Sequence, residues 1–286
     1  MPLTEELTFQ LGDSGVTLNT DSIGLPFVDI HDVVGLDNAP YRETERDHEG
    51  TDGGFMDAEF EQGRSVVIKG TIYVDTATME AYLDDLKENW ATSATPVPFY
   101  FKSPGVDERV LFVKPLGCRY DWTTLRRTGQ AEVQFKMFAE DPRIYTSALV
   151  TTTINYGGDA GTGFGFNFGF DFGFGPAVPP TGADVNNAGN RPTPAVMVIT
   201  GPITSPVITN DTLGISLAFN ITLEATDTLT IDLAGRTVLL NGSINRRGTL
   251  LQPNWFFLQK GNNFLRFGGG AGTGSSLVIQ HRAAWR

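Results

Sequence analysis

The stretch "RSVVIKGTIYVDTATMEAYLDDLKENWAT", Arg64 to Thr92, contains a strand and a helix in direct succession. Its first part, Arg64 to Asp75, is rich in β-branched residues, which is typical of a well-buried strand. In its second part, apolar residues recur at helical spacing and charged residues fill the other face. The apolar positions are Met79, Tyr82, Leu83, Leu86 and Trp90. Thr76 or Thr78 is available as the helix cap.

The segments around this stretch favour strands. "PFYFK", "ERVLFVKP" and "GQAEVQFKMFAEDP" follow the helix, and in the last of them apolar and polar residues alternate with a period of two. Residues 1–60 consist of short apolar pieces joined by acidic, glycine-containing loops. We therefore predict an α+β domain over residues 1–146, with one helix laid across a strand-dominated sheet.

The last hundred residues or so have a different pattern. Residues 187–286 carry short apolar segments every 8 to 12 residues, separated by turn signals. That spacing predicts an all-β sandwich or jelly roll. Within it, "DTLTIDLAGRTVLLNG" predicts a hairpin with Ala234 and Gly235 at the turn. The chain is accordingly predicted to be mainly β, with a linker over residues 147–186 between two domains.

The predicted linker contains an aromatic ribbon, "GTGFGFNFGFDFGFGP", Gly161 to Pro176. Only Gly, Asn or Asp separates its phenylalanines, so an extended chain places every ring on one face. The ribbon comprises Phe164, Phe166, Phe168, Phe170, Phe172 and Phe174. An apolar stripe of that size marks an interface or an aggregation hazard, so we expect it to dock on a partner surface. A mobile, low-complexity linker is the alternative.

Charge is distributed unevenly along the chain. The net formal charge is -13 over residues 1–146, -3 over 147–185 and +4 over 186–286. An acidic protein without a dense basic stripe is a poor nucleic-acid binder. The first residues lack a signal-peptide pattern, and no apolar run approaches the roughly 18 residues of a membrane-spanning helix. We expect a soluble, unsecreted protein with neither a nucleic-acid nor a membrane partner.

Cysteine and histidine offer no recognisable site. Cys118 is the single cysteine, which excludes an internal disulfide, and its surroundings indicate a reduced structural thiol. His31, His48 and His281 are scattered, without the spacing that brings two ligands onto one helical face. We interpret them as ordinary surface or strand histidines.

The acidic loop "DHEGTDGGFMDAE" is the best candidate for a metal. Asp47, Glu49 and Asp52 imitate the start of a calcium-binding loop, but Thr51 and Ala58 stand where further ligands belong. A solvated connection between strands is the favoured interpretation. We predict no metal, no cofactor and no enzyme activity, although a carboxylate pair of a hydrolase has no fixed spacing and stays an alternative.

Aromatic residues of the second domain suggest an alternative function. Sugar rings stack on exposed aromatic side chains, and Trp255 and Trp285 are the candidates for such a glycan contact. The segment "WFF", Trp255 to Phe257, is equally typical of a strand that supplies core residues, and we favour this second interpretation.

A series of phrases in a fixed order covers nearly the whole chain. In the first domain these are "RDHEGTDGGF", "GRSVVIKGTIYV", "LDDLKENW" and "VQFKMFAEDPRIY". In the second they are "NAGNRPTPAVMVITG", "LTIDLAGRTVLLNGS" and "NWFFLQKGNNFLRFGG". In order and spacing they resemble the distal tail proteins of long, non-contractile-tailed bacteriophages (siphophages). The phenylalanine ribbon departs from this pattern and looks like an insertion.

The resemblance implies a structural virion protein of the tail tip, assembled in the host cytoplasm. It implies an N-terminal belt domain that forms a hexameric ring and a C-terminal galectin-like β-sandwich outside it. The ring would join the tail tube protein to the baseplate hub (tail-associated) protein and the tape-measure protein. A lectin-like module that recognises a host-surface glycan is the alternative.

Overall fold

The structure is a computed structural model that describes residues 3–13, 15–20, 24–42, 45–47, 50, 52, 54–56, 60–156, 181–270 and 274–286. The chain divides into two compact units, residues 1–147 with Arg286 and residues 148–285. The prediction of a mainly β fold is confirmed.

The described part of the first unit is built from short and long strands and two helices. The helices are α1 (Met79–Asn89) and α2 (Trp122–Thr128). The strands are β1 (Phe9–Leu11), β2 (Thr17–Leu18), β3 (Phe27–Val34), β4 (Tyr41–Arg42), β5 (Glu45–Asp47), β6 (Gly54–Met56), β7 (Phe60–Glu61), β8 (Arg64–Tyr73), β9 (Val97–Phe101), β10 (Arg109–Tyr120), β11 (Gln130–Ala139) and β12 (Ile144–Thr146).

The main sheet of this unit is antiparallel, in the order β2-β1-β9-β10-β11-β8-β3. Its longest strand, β10, pairs with β9 through Arg109–Val113 and with β11 through Lys114–Tyr120. Just after this change of partner, a bulge lies between Pro115 and Cys118, and Gly117 within it has a φ of +104°. Bulges bend and twist a strand, so β10 turns from one half of the sheet into the other.

Helix α1 supplies the centre of the core. All five of its predicted apolar residues are buried, as the helical spacing requires. They pack against side chains from both halves of the sheet, and the Trp90 and Phe135 ring centroids lie 4.5 Å apart. In β11, buried and exposed residues alternate without interruption, which confirms the predicted half-buried strand.

Two details at the helices differ from the sequence analysis. The Thr78 side chain makes no capping hydrogen bond; instead the Asp75 carboxylate accepts from the backbone N–H of Ala77 and Thr78, both at 2.8 Å. Helix α2 was not predicted, because with Leu125 as its one buried residue it shows no periodicity. Its limits are nevertheless marked, by Asp121 as N-cap and Gly129 at φ +73° after its end.

The second unit contains strands and one short 3-10 helix, Arg247–Thr249. The strands are β13 (Val150–Asn155), β14 (Gly182–Asn187), β15 (Ala195–Thr200), β16 (Ile203–Asn210), β17 (Ile215–Ala218), β18 (Thr222–Leu223), β19 (Thr228–Asp232), β20 (Thr237–Leu240), β21 (Ile244–Asn245), β22 (Gly261–Gly270), β23 (Ser276–His281) and β24 (Ala284–Trp285). Strand β13 and all of β14 except its last residue, Asn187, thus come from the region 147–186.

All of these strands except β24 form two antiparallel sheets. One has the order β13-β23-β15-β19-β20-β21, and the other has the order β14-β22-β16-β17 with β18 also pairing β16. Alternate residues of both sheets enter one apolar cluster, so the predicted β-sandwich is confirmed. The predicted hairpin β19–β20 is present, and its turn is held by the Asp232 carboxylate, which accepts from the backbone N–H of Ala234 and Gly235.

Buried amides fasten one end of the sandwich. Asn187 donates to the carbonyl oxygens of Arg191 (2.7 Å) and Leu258 (3.3 Å) and accepts from Gly189 N–H. Asn263 donates to Gln259 O and accepts from Gln259 N–H, both at 2.9 Å. Because both side chains are fully buried, their hydrogen bonds hold loops that lack regular ladder partners.

His281 of β23 lies in the same region and is only 2% exposed. Its Nε2 is 3.1 Å from Asn186 O, while its Nδ1 is buried and has no hydrogen-bond partner in the described structure. Burial lowers the pKa of His281, and the hydrogen bond to Asn186 opposes this shift. A neutral ring that donates from Nε2 fits the site, whereas protonation of Nδ1 adds a donor without an acceptor.

In the described part of the chain, no helix is both long and apolar enough to cross a lipid bilayer.

Replacing Leu86 with Ala tests the role of α1 in the core. Leu86 is fully buried, so we expect Leu86→Ala to lower the free energy of unfolding by about 2–5 kcal/mol. Glu88 is exposed on the same helix, and Glu88→Ala should change the free energy of unfolding by no more than about 0.5 kcal/mol. Urea titration of the full chain measures the free energy of unfolding of both variants. Equal losses for Leu86→Ala and Glu88→Ala would contradict the packing of α1 described above.

The buried His281 predicts a pH-dependent stability. Its folded-state pKa is lowered from the usual value of about 6.5, so the folded state binds fewer protons than the unfolded chain. The stabilisation is present above pH 6.5 and is lost as the pH falls towards the folded-state pKa. Urea titrations between about pH 7 and pH 5.5 should show this slope, and His281→Gln should reduce it. The matched control, His31→Gln, makes the same substitution at a half-exposed histidine of the first unit, and its slope is the reference for that of His281→Gln.

Candidate interaction surfaces

The six phenylalanines of the ribbon, from Phe164 to Phe174, lie outside the described residues. The described strands on either side of them are β13 and β14, each at the edge of its sheet. The Tyr156 hydroxyl donates to Gly269 O at 2.6 Å, and its ring packs edge-on against Phe267. On the other side, Phe267 N–H donates to Thr181 O at 3.0 Å. Both described ends therefore attach to β22, as an insertion into a complete sandwich would.

Trp255 and Trp285, the candidate glycan contacts, are both half-buried. Trp255 precedes β22 and packs on the sandwich core, with the Arg247 guanidinium 6.0 Å from its ring centroid. Its Nε1 is buried and has no hydrogen-bond partner in the described structure. Trp285 lies in β24. A glycan contact by these residues stays a prediction.

The "WFF" segment supplies core residues, although not as a strand. Phe256 is buried, while Trp255 and Phe257 on either side of it are half-buried and pack against the same apolar cluster. The regular pairing that a strand requires is missing here, and a single bridge joins Leu258 to Thr193. Pro253, just before the segment, has no N–H to donate to a ladder.

The candidate metal loop joins two short paired strands, with Arg46 opposite Phe55. Asp47 lies at the end of β5 and Asp52 is exposed, but Glu49 lies outside the described residues. Across the residues that the structure describes, no three His, Cys, Asp or Glu side chains come close enough together to hold a metal ion.

Two other residues considered from the sequence, Cys118 and His31, lie on different strands of the first unit. Cys118 is half-buried in the bulge of β10, and burial raises the pKa of its thiol, which keeps it in the less reactive protonated form. His31 of β3 is half-exposed, with its Nε2 3.6 Å from Glu132 Oε2. His48 lies outside the described residues.

The structure also exposes an aromatic surface that the sequence analysis missed. We define the Trp122 patch by Trp122, Arg126 and Arg127 of α2, Arg119 at the end of β10, and Glu80 of α1. Trp122 is 58% exposed, and the Arg126 guanidinium lies 4.6 Å from its ring centroid. Arg126 also forms an ion pair with Glu80.

A second exposed apolar surface lies where two loops meet. We define the Leu7–Val106 patch by Glu5, Glu6, Leu7, Val106 and Asp107. Leu7 is 52% exposed and Val106 is 39% exposed. The loops are fastened together, because the Glu6 carboxylate accepts from Gly105 N–H at 3.2 Å and Leu7 N–H donates to Lys102 O at 2.8 Å.

The backbone of Leu7, within this surface, has an unusual conformation. Its φ is +59°, in the left-handed region that a leucine rarely adopts. The conformation is held from both sides, because the Asn19 side chain donates to Leu7 O at 2.9 Å. Strained backbone with an exposed apolar side chain points to a functional role.

Comparison with known proteins gives matches to phage tail components. Residues 188–285 match the family model described as siphovirus-type tail component, C-terminal domain. No curated protein sequence matches the chain.

Two solved structures share the fold over nearly the whole chain. The Dit (gp 19.1) protein of phage SPP1, described as a paradigm of the hub adsorption apparatus in Gram-positive infecting phages, is 16% identical. The match covers 96% of this chain and 98% of that one, with a TM-score of 0.63. A chain of the phage P2 baseplate in its activated conformation with Ca is 11% identical, with the same coverage and a TM-score of 0.53.

The resemblance to siphophage distal tail proteins is thereby confirmed: the second unit matches the siphovirus-type tail component C-terminal domain, and the chain as a whole has the fold of SPP1 Dit.

Proposed function

We propose that this chain is a structural protein of a siphophage tail tip, where it forms a hexameric ring and catalyses no reaction. The observation that carries the proposal is the match of residues 188–285 to a siphovirus tail component, together with a fold shared with SPP1 Dit over 96% of the chain. The proposed location is the tip of the virion tail, after assembly in the host cytoplasm.

The proposed partners are the tail tube protein, the baseplate hub (tail-associated) protein and the tape-measure protein. Support comes from the structures with the same fold, since one is described as part of a hub adsorption apparatus and another belongs to a baseplate. Fold alone does not transfer function, so the family match in the second unit carries more weight than these neighbours.

The arrangement of strands in the first unit suits assembly. Strand β3 lies at one end of the main sheet and forms a ladder only with β8 in the described structure. Asn19 already donates to Val28 O and accepts from Ile30 N–H at its outer edge, so the part of this edge without a ladder partner or an Asn19 bond runs from His31 to Val34. Exposed edges invite pairing with another chain, and closure into a ring removes them. The ring is proposed to use the first unit and to leave the sandwich on its outside.

The aromatic ribbon is proposed to act as an additional assembly surface. An extended conformation would place its six rings on one face, and an exposed apolar stripe of that size marks an interface or an aggregation hazard. The surface on which the ribbon docks would belong to the second unit, a neighbouring subunit or another tip protein.

The proposed ring makes a direct prediction for the purified protein. Light scattering on a sizing column should give a mass about six times the 31.1 kDa of one chain, and negative-stain images should show closed rings. Open fibres or rings of a clearly different subunit number would contradict the proposed hexamer.

The ribbon proposal predicts that its phenylalanine face is needed. Phe168→Ser with Phe170→Ser removes apolar area from that face and should reduce ring yield, solubility or the infectivity of complemented phage. Asn167→Ser with Asp171→Ser alters the opposite face of the same segment and serves as the matched control. If the phenylalanine variant gives normal rings and normal infectivity, the ribbon is no assembly surface.

A further inference from the structure

We propose that the Trp122 patch of one copy docks on the Leu7–Val106 patch of the next copy, so that the two patches are the two sides of a head-to-tail contact. The inference rests on the proposed ring and assigns residues to its interface.

The apolar part of each patch has the features of an interface centre. Tryptophan and arginine are enriched among residues that dominate binding energy, and Trp122 and Arg126 lie stacked in the first patch. Across the contact, Leu7 and Val106 offer exposed aliphatic side chains that a tryptophan ring can cover.

Both patches are held rigid before any contact forms. Helix α2 is fixed by its Asp121 cap and by the buried Leu125, and Arg126 is held between Trp122 and Glu80. On the other patch, hydrogen bonds fix the backbone of Leu7 and join its loop to Gly105. A preorganised surface loses little conformational entropy on binding, which favours association.

The charges of the two patches are complementary. The segment from Arg119 to Arg127 carries three arginines and one carboxylate, that of Asp121, although the unit as a whole is strongly acidic. Glu80 adds a second carboxylate, which is paired with Arg126. In the described structure, Arg119 and Arg127 form no ion pair. Such a basic patch favours an acidic partner and discourages docking onto another copy of itself.

The loops at the other patch are acidic in balance. Their carboxylates are more numerous than Lys102 and Arg109, the two cations beside them. The carboxylates are those of Glu5, Glu6, Asp107 and Glu108. The acidic surface that the Trp122 patch requires is thus present on a second copy of the same chain.

The positions of the patches give the contact its direction. Strand β10 begins at Arg109, directly after the Val106 loop, and ends at Tyr120, directly before α2. A strand of this length spans at most roughly 40 Å, and the bulge shortens it. Two different, complementary patches at opposite ends make a heterologous contact, which closes into a ring when the rotation per subunit allows.

A mixing experiment tests this inference on the full chain. Trp122→Ser with Arg127→Glu blocks one side of the contact, and Val106→Asp with Asp107→Lys blocks the other. Each variant alone should lose the oligomer in light scattering. An equimolar mixture retains one intact contact per pair of chains, so it should give a species of twice the 31.1 kDa chain mass and no larger ring. Leu251→Ser, at an exposed leucine outside both patches, is the control and should assemble like the wild type.

The outcomes separate this inference from the proposed function. If the wild type and either variant both form rings, the two patches are not the ring interface, and the proposed ring itself is retained. If both variants lose the ring but their mixture stays monomeric, the two patches do not pair with each other. If the wild type stays monomeric at every soluble concentration, the occupant of the Trp122 patch is not a second copy. Unchanged thermal unfolding of each variant shows that a lost ring is not a folding defect.

Discussion

The bulge in strand β10 is the feature on which the first unit depends. The strand pairs with β9 up to Val113 and with β11 from Lys114 onwards, and the bulge between Pro115 and Cys118 follows directly after this change of partner. A bulge bends the sheet near this point, and side chains from both of its halves form one apolar cluster with the buried residues of α1. One helix can therefore supply the core of a large sheet, and the ends of β10 carry two separate exposed patches.

Much of this arrangement follows from local pattern in the sequence. Three elements show their buried side in the sequence, because the period of each is visible within about ten residues. They are the β-branched strand β8, the alternating strand β11 and the helical segment from Met79 to Trp90. The turn at Ala234–Gly235 is equally local, since Asp232 accepts its hydrogen bonds from residues two and three positions later.

The features that escaped prediction depend on distant residues. Pro115 suggested the end of a strand, whereas the partner strand β11 extends the pairing to Tyr120. Asn187 gave no sign of a buried role, because the carbonyl of Leu258 that it reaches is 71 residues away. Leu7 and Val106 form one surface only because folding joins Glu6 to Gly105. Trp122 belongs to a helix too short for periodicity, although Asp121 and Gly129 marked its limits.

We propose that this chain lies at the tip of a siphophage tail, and its position in the virion tests that proposal most directly. Antibodies raised against the second unit, detected by gold labelling in electron micrographs of intact phage, would show the position. Label at the end of the tail farthest from the capsid is the predicted result. Label on the capsid, or along the whole tail tube, would contradict the account.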